Sequence, residues 1–120
     1  MPQMFPTILR PASFTSNQEL SLAVGPTSTV VFMNSNANRT FFGLAAVGGN
    51  QDGMVVCFVN VSNTANWQHI FAHDSSSASN VINRFLMPGQ GNLNTGTGIG
   101  SCTVIYNGTM QRWLCISDTV

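Results

Sequence analysis

From residue 18 onward the polar and apolar positions alternate as they do in strands, and no stretch keeps a helical period. "ELSLAV" sets Leu20, Leu22 and Val24 on one side of an extended backbone. "GPT" then turns the chain into "STVVFMN", and the polar cluster "NSNANR" separates that run from "TFFGLAAV". "GGNQDG" leads into "MVVCFVNV", "SNTAN" into "WQHIFAH", and "SSSASN" into "VINRFLM". A Gly-rich connection, "PGQGNLNTGTGIG", precedes "SCTVIY", which "NGT" joins to "MQRWLCIS". Eight such runs at roughly 10 to 12 residue spacing predict an all-β fold, an antiparallel β-sandwich or barrel. The Asn-Gly of "YNGT" predicts a type I′ hairpin.

Two of these strands break the alternation. In "MVVCFV", Met54, Val56 and Phe58 take one face while Val55, Cys57 and Val59 take the other, and "TFFGLAAV" is equally two-sided. A sandwich with one wet face leaves such strands half uncovered. The second face is expected to be covered by another chain or by the N-terminal segment. That segment, residues 1–17, is expected to be an extended arm leading into a β-sandwich domain at 18–120. Pro2, Pro6 and Pro11 exclude a helix or a central strand there. Met4, Phe5, Ile8, Leu9 and Phe14 make it too apolar to hang free.

Composition sharpens this picture. The 120 residues carry only 7% charged side chains, no lysine and a formal net charge of zero. Polarity rests instead on 12 Ser, 11 Thr and 13 Asn. Four arginines scattered along the chain offer no basic patch to displace counterions, so nucleic acid is not an expected partner. No run reaches the roughly 18 to 20 apolar residues that would span a bilayer, and the N-terminus lacks the form of a secretory signal. The sequons at Asn38, Asn60 and Asn107 are expected to be chance matches in an Asn-rich chain. Low net charge does little to keep copies apart, which favours a protein packed against something else.

The candidate chemistry is concentrated in "HIFAHDSSSASNVINRF", residues 69–85. It resembles a hydrolase site by content only. In a strand, His69 and His73 lie about 13 Å apart, too far to share a metal. His73 and Asp74 fall on opposite faces, and the serines form no Gly-x-Ser-x-Gly elbow. A hydrolase using His73, Asp74 and a nearby serine would react with a fluorophosphonate probe, and no reaction is expected. The Gly-rich stretch has no lysine to complete a phosphate loop. Glu19, Asp52, Asp74 and Asp118 sit singly in or beside turns, so no acid–base pair or calcium loop is expected. Cys57, Cys102 and Cys115 are expected to be buried reduced thiols. No catalytic residue, metal or cofactor is assigned. Arg84 and Arg112, each followed by an aromatic residue, are expected to stack or pair at an interface.

The stretch "GMVVCFVNVS…FAHDSSSAS…NRFLMPGQGNL…GSCTVIYNGTMQRW" resembles a pattern in phage and viral structural proteins. The resemblance spans about residues 53 to 113 and is to small trimeric, jelly-roll-like β-sandwich modules on virion surfaces. It implies a virion component made in the host cytoplasm, a homotrimer without a catalytic site. Met1 is followed by a proline-rich arm instead of a fibre shaft, so the expected role is capsid decoration, a cement protein bound to the major capsid protein. The alternative is a fibre or spike head whose loops "NSNANR" or "SSSASN" contact a host glycan. The residues expected at interfaces are Phe5, Ile8, Leu9, Phe41, Phe42, Val55, Val59, Arg84, Arg112 and Trp113.

Overall fold

The computed structural model describes residues 5–62, 67–97 and 99–119, and the side chains of residues 5–62, 67–97 and 99–117. The outermost part of the arm, most of the "SNTAN" turn and the carboxylate of Asp118 therefore lie outside the described parts.

Among the described residues, ten strands build two stacked sheets: β1 (Thr7–Leu9), β2 (Gln18–Leu22), β3 (Ser28–Met33), β4 (Arg39–Ala46), β5 (Val55–Asn60), β6 (His69–Phe71), β7 (Phe85–Leu86), β8 (Leu93–Asn94), β9 (Ser101–Asn107) and β10 (Arg112–Thr119). The larger sheet has the order β1-β3-β5-β9-β10-β7, the smaller β2-β4-β6-β8. Up to β9, each strand lies in the sheet opposite its predecessor. The chain therefore winds around the core, and β1, β3 and β5 stack in parallel in one sheet while β2, β4 and β6 do so in the other. A parallel pair needs a crossover of about a dozen residues. Here a strand of the opposite sheet supplies each crossover. The β9–β10 hairpin then closes the larger sheet antiparallel to β5, β8 pairs antiparallel with β6, and β7 runs parallel along β10.

The two-layer all-β architecture matches the pattern of the sequence, but the expected antiparallel, jelly-roll-like pairing does not describe it. Five of the eight strand pairs are parallel, and the winding is that of a short solenoid. Period-two alternation fixes which face a residue takes and leaves its partner strand open. The short Gly/Asn clusters that read as hairpin turns instead carry the chain from one sheet to the other. "VINRFLM" splits into a 3-10 turn, Val81–Asn83, and the two-residue β7. The "YNGT" hairpin also differs from expectation. Its loop runs from Gly108 to Gln111, the Asn107 side chain accepts from the N–H groups of Thr109 and Met110, and Gln111 takes the positive φ of 55°. Side-chain capping by Asn107 replaces the type I′ turn.

Between the sheets lies an aromatic core. Phe58 meets Phe71 at 5.0 Å and Phe85 at 6.1 Å between ring centroids, and Phe71 meets Phe41 at 5.7 Å. Trp113 packs edge-on to Tyr106 and donates its indole N–H to the Leu44 carbonyl, 2.9 Å away on the opposite sheet. The amide of Asn50 reinforces the same corner, donating to Asn83 Oδ1 at 2.8 Å and accepting from the Ala46 N–H. Burying each of these large side chains stabilises the fold by about 1.5 to 3 kcal/mol.

The described part of the N-terminal segment lies on its own chain. β1 is the edge of the larger sheet, hydrogen-bonded in parallel to β3, and Phe14 is buried against Phe41 at 5.0 Å. Pro6 and Pro11 flank β1, which limits the length of edge open to any further strand.

Candidate functional site

The polar stretch at residues 69–85 disperses when folded. His69 faces inward at the register position opposite Arg39, with its ring 5.4 Å from Phe41 and only 1% exposed. Its Nε2 lies 2.9 Å from the hydroxyl of Ser35, another buried group. The Ser35 hydroxyl donates to the Ala37 carbonyl at 2.8 Å, so the imidazole Nε2–H is the donor to Ser35 Oγ. Among the described residues, buried Nδ1 has no hydrogen-bond partner. Burial drives the His69 pKa down to about 4, which keeps the ring neutral near pH 7.

Around this pair runs a connected set of buried polar groups. Ser35 N–H donates to Ser62 Oγ, whose hydroxyl donates to Asn34 Oδ1. Asn60 donates to the Trp67 carbonyl and to Thr95 Oγ1, and Thr95 Oγ1 also accepts from the His69 N–H. A serine and a histidine at hydrogen-bond distance are the first two members of a nucleophilic triad. Here the imidazole has no third group to orient it, the serine proton is engaged, and both residues are shielded from solvent. The cluster ties strand ends together. It had a sequence signal: Ser35 is in phase with Met33 and Asn60 with Phe58, placing polar residues on core positions.

His73 and Asp74 engage different partners, but β6 ends at Phe71 and Asp74 lies in a turn, so the turn and not strand parity separates them. His73 Nδ1 accepts from the Met87 N–H at 3.0 Å. Asp74, at φ 40°, receives Arg112 Nε at 3.1 Å and Arg84 Nη1 at 3.8 Å. The serine loop is pinned by Glu19, whose two carboxylate oxygens accept from the Ser79 N–H and hydroxyl, each at 2.8 Å. Asp52 Oδ1 caps the Gly108 N–H at 2.8 Å. Each described carboxylate thus closes a loop of the fold. Among the described residues no cluster of three metal-ligating side chains occurs.

The residues expected at interfaces divide into three groups. Phe41 and Trp113 are fully buried in the core and offer nothing to a partner, because each takes the inward-facing position of its strand. Phe42 lies half-buried on the outer side of the smaller sheet, and Leu9 packs half-buried against the core. The rest gather on or beside one surface, the outer face of the larger sheet. Val55 and Val59 stand there half-exposed, Ile8 is 42% exposed on the β1 edge, and Phe5 is 79% exposed just before it. Arg84 and Arg112 frame the β7–β10 side.

The strand register brings further residues to the same surface that sequence reasoning did not assemble. Val55 is flanked by Ile105, then by Leu114 and Leu86 across β10 and β7. Cys57 lies next to Val30, and Val59 next to Phe32, whose ring is covered by the Arg10 guanidinium at 5.1 Å. All of these apolar side chains are half-buried. Cys57 is therefore a face residue, whereas Cys102 is buried, with its Sγ 3.8 Å from that of Cys115. The outer face of the smaller sheet sets half-buried Phe42 and Ile70 among side-chain amides. Gln68 and Asn94 are hydrogen-bonded there at 2.6 Å, and Asn17 and Asn38 cap neighbouring N–H groups. Compared with protein-family models, curated proteins and solved structures, the chain gives no match to any of them.

Proposed function

We propose that this chain is a virion structural protein without enzymatic activity, a decoration protein that binds the outer shell of a capsid as a homotrimer. The observation that carries the reading is the outer face of the larger sheet, where apolar side chains stand half-exposed on all six strands. A patch of this kind marks a contact surface. The near absence of charge suits lasting burial against a shell, and the resemblance to trimeric virion modules supplies the assembly. Three linked copies present three such faces, so avidity strengthens a contact that is weak in one copy. Each copy that bridges neighbouring capsid subunits would resist expansion of the shell by the apolar area it removes from water, at roughly 25 cal/mol per Å².

Light scattering of the purified protein, followed by co-sedimentation with procapsids and expanded shells, tests this. A trimer that sediments with shells is expected. A stable monomer at micromolar concentration that binds neither particle overturns the reading. A second reading, the glycan-contacting head of a fibre or spike, is favoured by the row of side-chain amides on the smaller sheet. Amides pair with sugar hydroxyls without needing charge. Binding to a glycan array, lost on Gln68→Ala or Asn94→Ala and indifferent to the larger sheet, would establish that alternative.

A further inference from the structure

We infer that the outer face of the larger sheet fits a partner protein that is apolar at its centre and carries carboxylates toward two diagonally opposed corners, in preference to a second copy of this chain. The inference rests on the reading of that face as a docking surface and concerns what occupies it. Six strands at the usual spacing make the face about 24 Å across, and the apolar positions, from the level of Val55 to that of Val59, extend about 13 Å along the strands, a flat footprint on the order of 300 Å². A specific interface of standard size buries about 800 Å² per partner. The apolar centre alone falls short, so its charged corners must belong to the contact.

Those corners are both basic. Arg10 follows β1 at one edge, its guanidinium over Phe32. Arg84 and Arg112 precede β7 and begin β10 at the other edge, sharing the single carboxylate of Asp74, so that this corner keeps one net positive charge. The register sets the two corners at opposite ends of the strands, about 30 Å apart. Among the described residues, a second copy laid face to face brings no carboxylate free to meet them. Among the described carboxylates, Asp74 is already taken by two arginines, Glu19 by Ser79 and Asp52 by Gly108. Matching charge at a contact rim steers and selects partners, whereas like charge excludes them.

Three chromatographic surfaces serve as the probe: one bearing phenyl groups, one bearing carboxylates, and one bearing both. The full chain at low salt is expected to be held on the combined surface roughly tenfold more tightly than on either single one. Arg10→Glu should weaken retention on the combined surface about three- to tenfold and leave the phenyl surface unaffected. The paired change Val55→Ser and Val59→Ser should weaken retention on both, with circular dichroism confirming the fold of each variant. If Arg10→Glu is held like the unaltered chain, the acidic partner is overturned while the docking face stands. If the serine pair changes retention on no surface, the docking face itself fails. Sedimentation that shows a concentration-dependent dimer abolished by the serine pair would make the occupant a second copy and overturn the inference.

Discussion

The two sides of β5 are nearly identical in hydrophobicity and opposite in fate. Val56 and Phe58 point between the sheets and are at most 1% exposed, whereas Val55, Cys57 and Val59 point outward and stay half-exposed. Along most of their neighbour β9, inward Cys102 and Val104 alternate with outward Ser101 and Thr103, and only the outward Ile105 beside Val55 continues the apolar face. The inward side of β5 is therefore needed for the fold, and the outward side carries apolar groups that the fold does not use. This hydrophobicity beyond what the core needs is the observation on which the proposed docking rests.

The largest effect that separates the two sides belongs to Phe58. Its ring touches Phe71 and Phe85 in the centre of the core. Phe58→Ala should cost about 3 to 5 kcal/mol in denaturant unfolding, most of the stability of a small domain. A loss under about 1 kcal/mol would mean that the inward side is no more a core than the outward one.

Next in size is the pH dependence of the interior, which the outer apolar face does not share. His69 has a folded-state pKa of about 4 against 6.5 in the unfolded chain, caused by burial. Among the described residues, the charged side chain at its register position is that of Arg39, which cannot favour a second positive charge. The unfolded state thus binds the proton more readily. Stability is full above about pH 6.5, falls as the pH drops from there toward 4, and then levels off from this group. The total loss is up to about 3 kcal/mol. Urea midpoints measured across that range should show this slope, and His69→Gln should flatten it; an unchanged slope in the variant would remove His69 as its source.

A smaller loss tests the bond that joins the sheets. Trp113→Phe keeps an aromatic ring against Tyr106 but removes the indole donor to the Leu44 carbonyl. The lost hydrogen bond and the small cavity together should cost about 2 kcal/mol in the same unfolding measurement. A neutral outcome would show that ring packing alone holds the sheets together at this corner.

How much of this was legible in the sequence follows from what alternation encodes. The all-β class, the strand runs and the inward sets such as Leu20, Val56 and Phe58 follow from period two. The winding does not, since parallel and antiparallel partners leave the same pattern in one strand. Phe41 was misplaced because a two-sided apolar strand does not say which side is inward, which depends on the opposing sheet; Trp113 was misplaced because it was grouped with its outward neighbour Arg112. That the serines belong to a loop was legible from turn chemistry, whereas His73 and Asp74 part at a turn that strand parity did not anticipate, and the Ser35–His69 contact joins residues on different sheets. The outer face was half visible, with Val55 and Val59 in view. Ile105, Leu114 and Leu86 join them only through the register of β9, β10 and β7.

The smallest expected change in stability sharpens the comparison most. Val55→Thr and Val59→Thr keep a β-branched shape, so strand propensity is preserved and each should alter unfolding by no more than about 0.5 kcal/mol. The same pair replaces two methyl groups with hydroxyls in the middle of the apolar face and should weaken attachment to shells or to a phenyl-bearing surface several-fold. Inward Val56→Thr makes the identical chemical change on the same strand and would bury a hydroxyl, at a cost of about 1 to 3 kcal/mol. If the outward pair destabilised the isolated protein as much as the inward change, the face would be part of the core. Surplus hydrophobicity could then not be assigned to a partner.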